Sequence, residues 1–287
     1  MTTIPTSIGT RQYVAALRAE PRTRVKVERP RPAVAVLRMV DEANNNALSG
    51  PLTVELQQTL GELVADDEVR VIVLTGSGRV FSVGGDWKLM TERAHTFADR
   101  EEGTADLWRW IRQQFGGIAR TIVHCDKVVI AAINGDAAGV ALAWALNADL
   151  IVAAEDARLV TAFGRIGLVP EVGTNWVLTR RIGYQKAFEL FVTGRTVTGR
   201  EAAEMGLVNA AVPREELDAV ALEWCERICR LPDYVVSMTK PLMRQAADMT
   251  FDQAMLAEEF AEPNTFTTQY HQRTIRALLD KTAKAAE

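Results

Sequence analysis

Two rhythms of apolar and polar positions divide the chain. Short apolar runs predict strands, and apolar residues three and four apart predict helices. VKVERP and AVAVLRM read as two strands joined by a proline-rich turn. VRVIVLTGSG and DKVVIAAING read as buried strands, and DLIVAAEDARLVTA as two more. Leu52, Leu56, Leu60 and Leu63 share a helical face after the start signal Ser49-Gly50-Pro51. The stripe Trp108, Ile111, Phe115, Ile118, Ile122 predicts an amphipathic helix over 107–123, whose apolar face is read as core. DAAGVALAWALNAD reads as a tightly packing small-residue helix, and GTNWVLTRRIG with YQKAFELFVTG as consecutive helices. GREAAEMGLVNAAVP reads as a short helix, a glycine stop and a strand. Residues 87–104 are polar and weakly patterned, which predicts a mobile surface loop.

The pattern changes after Pro213. Residues 214–287 keep helical spacing almost throughout, with breaks at Leu231-Pro232 and at Thr250. This predicts an N-terminal extension over 1–20 with one short helix, a strand-and-helix body over 21–212, and a helical region over 213–287. The strand–strand–helix rhythm of the body differs from the alternation of a doubly wound α/β fold. Neither a G-x-G-x-x-G after the first strand nor a G-x-x-x-x-G-K-[ST] occurs, which disfavours those two kinds of nucleotide binding.

Composition narrows the field. Of 287 residues, 48% are hydrophobic and 24% charged, as in a globular protein with a substantial core. A net charge of −4 points away from nucleic acid. No apolar run is long enough to span a bilayer, and the N-terminus lacks a signal pattern, so a cytoplasmic protein without membrane or nucleic-acid partners is expected. Three cysteines and three histidines form no ligand spacing, so no metal site is expected.

Three stretches carry a resemblance: LTGSGRVFSVGGDWKLM, KVVIAAINGDAAGVALAWALNADLIVAAEDA, and AFGRIGLVPEVGTNWVLTRRIGYQKAFELFVTGRTVTGREAAEMGLVNAAVP. Together they resemble the enoyl-CoA hydratase/isomerase (crotonase) superfamily. The resemblance implies an α/β fold, a spiral of ββα turns with a helical C-terminal trimerisation region, forming a homotrimer or a dimer of trimers. It also implies an acyl-CoA thioester substrate and an enolate intermediate, with coenzyme A entering as part of the substrate and no separate cofactor. By the family pattern the enolate oxygen is held by the N–H groups of Gly85 and Val140, with Val83, Gly139 and Phe163 beside them. Two such amides suit a developing oxyanion, and losing one donor typically costs about 3–4 kcal/mol. The family usually has glycine at the second position, so Val140 is a departure. The backbone around Ala47 in NNNALS matches the adenine-binding segment. Lys281 matches only loosely the basic residue near the CoA phosphates, because the chain ends in YHQRTIRALLDKTAK rather than in the usual family tail.

Hydratases of this family hold a water between two glutamates, and those positions here are Ala143 and Phe163. Neither can move a proton. Asp86 and Asp136 read as turn or cap residues at the edge of the substrate site, with Asp136 lining the pocket as the alternative. Glu171, directly after GLVP, stands where some Δ3,Δ2-enoyl-CoA isomerases carry their base, in surroundings apolar enough to raise its pKa. The bland reading is an acid favoured by a helix N-terminus. The dehalogenase branch of the superfamily also needs a histidine, and His124 and His95 are both misplaced for it. The expected activity is isomerase-like with Glu171 as sole base. The alternatives are a hydratase or other lyase or hydrolase using Glu171 or Asp136 with water, and a non-catalytic acyl-CoA-binding protein.

Overall fold

The computed structural model describes residues 4, 5 and 7–285, with side chains to residue 282. Among these residues ten strands form two sheets. The larger runs β1 (Val25–Arg31), β2 (Val34–Met39), β3 (Val71–Gly76), β5 (Val128–Ile133), β7 (Leu150–Ala154) and β10 (Ala210–Val212). Only its β1–β2 hairpin is antiparallel. The smaller runs β4 (Val80–Ser82), β6 (Asp136–Ala138), β8 (Arg158–Val160) and β9 (Val197–Thr198), with β4, β6 and β8 parallel. The chain lays one strand in the large sheet, the next in the small sheet, and then a helix. It does so three times, with the helices beginning at Trp87, Gly139 and Thr174. The segments that follow β4, β6 and β8 therefore leave one sheet from neighbouring strand ends.

Continuous apolar sequence builds the large sheet. Every residue of β3 and of β5 is buried, as a parallel strand covered on both faces requires. Helix Gly50–Ala65 starts as expected, with Pro51 in its first turn and Ser49 Oγ accepting from Leu52 N at 3.4 Å. Helices Leu217–Cys229, Asp233–Ala246, Phe251–Phe266 and Gln269–Ala285 make the C-terminal region helical, and Thr250 caps the third. Lys240 anchors this region on the body. Its buried ammonium donates to the carbonyls of Ile122 and Lys127, both at 2.8 Å, and pairs with Asp149 at 2.8 Å.

Three expectations are corrected. Residues 87–104 are not a loop, because Trp87–Ala98 is a helix whose first turn Asp86 caps by accepting from Lys88 N and Leu89 N. DAA opens no helix; it is strand β6, held by pairing with both β4 and β8. The third concerns 107–123. The helix exists, but Trp108 is 57% exposed and Trp110 is buried instead. A wide π-turn at Ile111–Phe115 interrupts the α-winding. Asp106, Trp110, Gln114, Ile118 and Ile122, spaced by four, are all buried. A plain α-helix would carry that spacing off its face, and the wide turn takes up the excess.

An aromatic series crosses this segment. Tyr13, Trp110, Phe115 and Trp144 lie ring to ring with centroids 6.0, 5.8 and 6.0 Å apart. The fully buried Trp144 donates from its indole to the Phe115 carbonyl at 3.0 Å. Trp144→Phe keeps most of the apolar bulk and removes that donor. We expect a loss of about 1–3 kcal/mol, read as a lower midpoint in urea unfolding.

Candidate active site

The three segments that leave β4, β6 and β8 close around a cavity of about 310 Å³. From the first come Val83, Gly85 and Asp86, from the second Gly139 and Val140, and from the third Phe163 and Glu171. Leu48 borders it too, because its N–H donates to Gly84 O at 2.8 Å and a parallel bridge joins it to Gly85. Apart from Arg93, the rest of the wall is apolar and aromatic, including Met90, Phe97, Trp110 and Phe115.

Local sequence explains the geometry. Asn46 is fully buried at φ +51°, and its amide donates to the carbonyls of Ser77, Val80 and Phe81. Ser82 Oγ donates to Asn46 O at 2.6 Å, so NNNALS and SVGG are knitted together. The Gly85 N–H donates to no protein acceptor among the described residues. Val140 lies in the first turn of helix Gly139–Asn147, where backbone N–H groups have no intrahelical partner, and Ala138 provides no side-chain cap. The cavity thus meets two amides free to donate, one of them at the positive end of a helix dipole.

Glu171 is half-buried, and its carboxylate has no hydrogen bond or ion pair among the described residues. Desolvation alone raises its pKa to about 7. The carboxyl group can therefore take up or release a proton near neutrality. Neither hydratase position offers a second acid: Phe163 is a buried wall residue, and Ala143 is buried outside the lining. No histidine lines the cavity, His95 and His124 included.

Three expected site residues are not part of this wall. Asp136 points elsewhere and is bound by Arg158, whose Nε donates to its two oxygens at 3.0 and 3.1 Å. That guanidinium holds the Asp136 carboxyl below its usual range, which suits an ion pair and not a proton carrier. Ala47 is adjacent to Leu48, with its N–H on Asn44 O and its carbonyl accepting from Ser49 N. Lys281 is exposed on the last helix in a groove with Tyr270 and Arg273, away from the cavity in the single chain. Asp86 caps its helix and also borders the cavity.

Sequence reading missed Leu89, Met90, Arg93, Ala94 and Phe97 as wall residues. Their helical spacing behind a capping Asp86 was the available signal. Arg93 is buried, with its guanidinium over the rings of Tyr13 and Phe97 and donating to Thr10 Oγ at 3.0 Å. A second cleft of about 1040 Å³ is larger, but its lining contains neither Glu171 nor Gly85 nor Val140. The smaller cavity is therefore the candidate site.

The ββα spiral and its cavity are those of the crotonase fold. The solved enoyl-CoA hydratase of Bacillus anthracis superposes with a TM-score of 0.80 at 30% identity, over 90% of this chain and 97% of that one. The enoyl-CoA hydratase/isomerase family profile matches residues 29–285, and the chain belongs to that family. Bacillus subtilis YhaR, named for the same family, is 31% identical over 83% of this chain and 89% of its own length. The 1,2-epoxyphenylacetyl-CoA isomerase of Escherichia coli K12 is 29% identical over 72% of this chain and 77% of its own. Hydratase names recur among other relatives.

Proposed function

We propose that the protein is an acyl-CoA enzyme of the Δ3,Δ2-enoyl-CoA isomerase type, with Glu171 as its single base. The observation that carries this reading is one unpaired carboxylate, with its pKa pushed up to about 7, in an apolar cavity bordered by Gly85 and Val140 and containing no second acid at the hydratase positions. In this scheme the acyl group occupies the cavity, with its thioester oxygen between the N–H groups of Gly85 and Val140. Ionised Glu171 takes a proton from C2, and the electron pair moves onto the thioester oxygen as a dienolate. The two amides stabilise that charge in a largely apolar site. The protonated Glu171 returns the proton to C4, the double bond now lies between C2 and C3, and the base is regenerated. One carboxylate completes the cycle. The isomerase name of the Escherichia coli relative supports this direction.

Hydration, or another lyase or hydrolase reaction with Glu171 acting on water, is the second reading, favoured by the hydratase names among relatives. It needs a water held by one carboxylate. Incubation with a 3-enoyl-CoA in heavy water separates the two. Isomerisation yields the 2-enoyl product with label at C2 or C4, whereas hydration requires a 2-enoyl substrate and yields a hydroxyacyl product. No 2-enoyl product and no exchange overturns the isomerase reading for that substrate, and a hydroxyacyl product from a 2-enoyl-CoA selects hydration.

The backbone at Ala47 as adenine contact and Lys281 as phosphate contact belong to the same proposal, as do a homotrimer or dimer of trimers and a cytoplasmic location. Phe251, Phe260, Phe266 and Leu279 are each more than half exposed on the last two helices, an apolar surface suited to a neighbouring subunit. Mass in solution by light scattering tests this; a monomer at micromolar concentration overturns it. No described helix is long and apolar enough to cross a membrane.

A further inference from the structure

The loop that carries Glu171 is held in a costly conformation. Val172 has φ +59°, in the left-handed region that β-branched residues rarely enter, and Gly173 follows at +80°. Such a backbone persists only where its surroundings over-determine it. One restraint lies on the N-terminal side, where the Glu171 carbonyl accepts from Thr174 N at 3.1 Å and from Thr174 Oγ at 2.6 Å.

The other restraint comes from a different element. Asn147, 3% exposed, is the last residue of helix Gly139–Asn147. Its amide nitrogen donates to Val172 O at 2.8 Å and to Ala143 O at 2.8 Å, using both N–H groups. A Cβ at Gly173 would lie 3.2 Å from Asn147 Oδ1, so glycine is what lets the loop sit this close. The end of the helix is itself fixed, since Arg244 donates to Asn147 O at 2.8 Å and pairs with Asp149 at 2.6 Å. The first turn of the same helix bears Val140.

We propose that Asn147 is a positioning residue that ties the peptide after Glu171 to the helix presenting the Val140 amide, and so sets the spacing between base and oxyanion donors. It touches no reacting atom. The idea rests on the reading of Glu171 as the base. A base that must reach two carbons of a substrate pinned by its oxygen tolerates little misplacement, and about 1 Å can cost roughly a hundredfold.

Asn147→Leu keeps the branched shape of the side chain and removes both donors. The expected result is a kcat lowered about 10–100-fold with KM within about threefold, because the donors and the wall that bind the acyl group are unchanged. The acid limb of the pH profile also moves to lower pH, since a released Glu171 gains water and titrates nearer an ordinary glutamate. Asn147→Ser reaches Ala143 O alone and drops only the tie to Val172, so it carries the test if the leucine variant fails to fold. Parent-like kcat and acid limb in a folded variant overturn the proposal. Glu171→Gln, measured in parallel, separates the two levels: if it is inactive while both Asn147 variants match the parent, only the positioning role falls. If Glu171→Gln is fully active, the reading of the base falls as well.

Discussion

Glu171→Gln should lower isomerase turnover about 10²–10⁴-fold, the usual contribution of a positioned general base. The amide has the shape of the acid but cannot accept the C2 proton, so affinity for an acyl-CoA should change little. In the parent, kcat/KM should fall about tenfold per pH unit below about 7 and level off above it, because only the ionised carboxylate acts. The substitution should also stabilise the fold at alkaline pH. Burial raises the carboxyl pKa from 4.5 to about 7, so between those values the folded state holds a proton that the unfolded state has lost. The parent therefore loses stability as pH rises through this window, by up to about 3 kcal/mol. Glutamine does not titrate. Thermal unfolding at pH 8–9 should favour Glu171→Gln, with the advantage fading toward pH 4–5. Equal stability at all pH values would show that the carboxylate is not desolvated.

Gly84→Ala should be nearly as damaging through a different route. Gly84 has φ +82°, and a Cβ there would meet Ala138 O at 2.6 Å and Ala138 C at 3.2 Å. Those backbone atoms lie just before Gly139 and Val140, so the methyl forces apart the two segments that bring the amides together. Losing one donor alone typically costs about 10²–10³ in kcat. Gly139 makes the contrast: it also has positive φ, at +52°, but nothing lies within 4 Å of its would-be Cβ. Gly139→Ala should pay only the backbone cost of about 1–2 kcal/mol in stability and keep most of the activity. Equal kcat losses in the two variants would contradict the picture of two loops in backbone contact.

The large sheet was legible because parallel strands buried on both faces are written as unbroken apolar runs, such as VVIAAI. The small sheet was mostly not. Its strands are two or three residues long, shorter than any periodicity can show, and β6 exists because β4 and β8 flank it. Gly85, Val140, Phe163 and Glu171 could be picked out only through the resemblance of their stretches to the family pattern, and they share one cavity. Asp136 could not be judged that way, because the Arg158 that neutralises it lies on a neighbouring strand. Arg93 and Phe97 were obscured by the polar residues around them. Trp110 was obscured by a rule that holds for α-helices and fails where five residues wind more widely.

That wide turn at Ile111–Phe115 has a consequence for how this site can change over generations. A straight α-helix brings positions seven apart onto one face, whereas Trp110 and Ile118 are eight apart and both buried. The segment thus holds one residue beyond what ordinary winding needs. Loss of a single codon would return it to regular helix and leave Trp110 facing inward, while redrawing the strip of wall formed by Ile111 and Phe115 and moving the Phe115 carbonyl that Trp144 bonds. The cavity wall can be re-cut here by a change in length, a mutational step that is usually ruinous inside a helix.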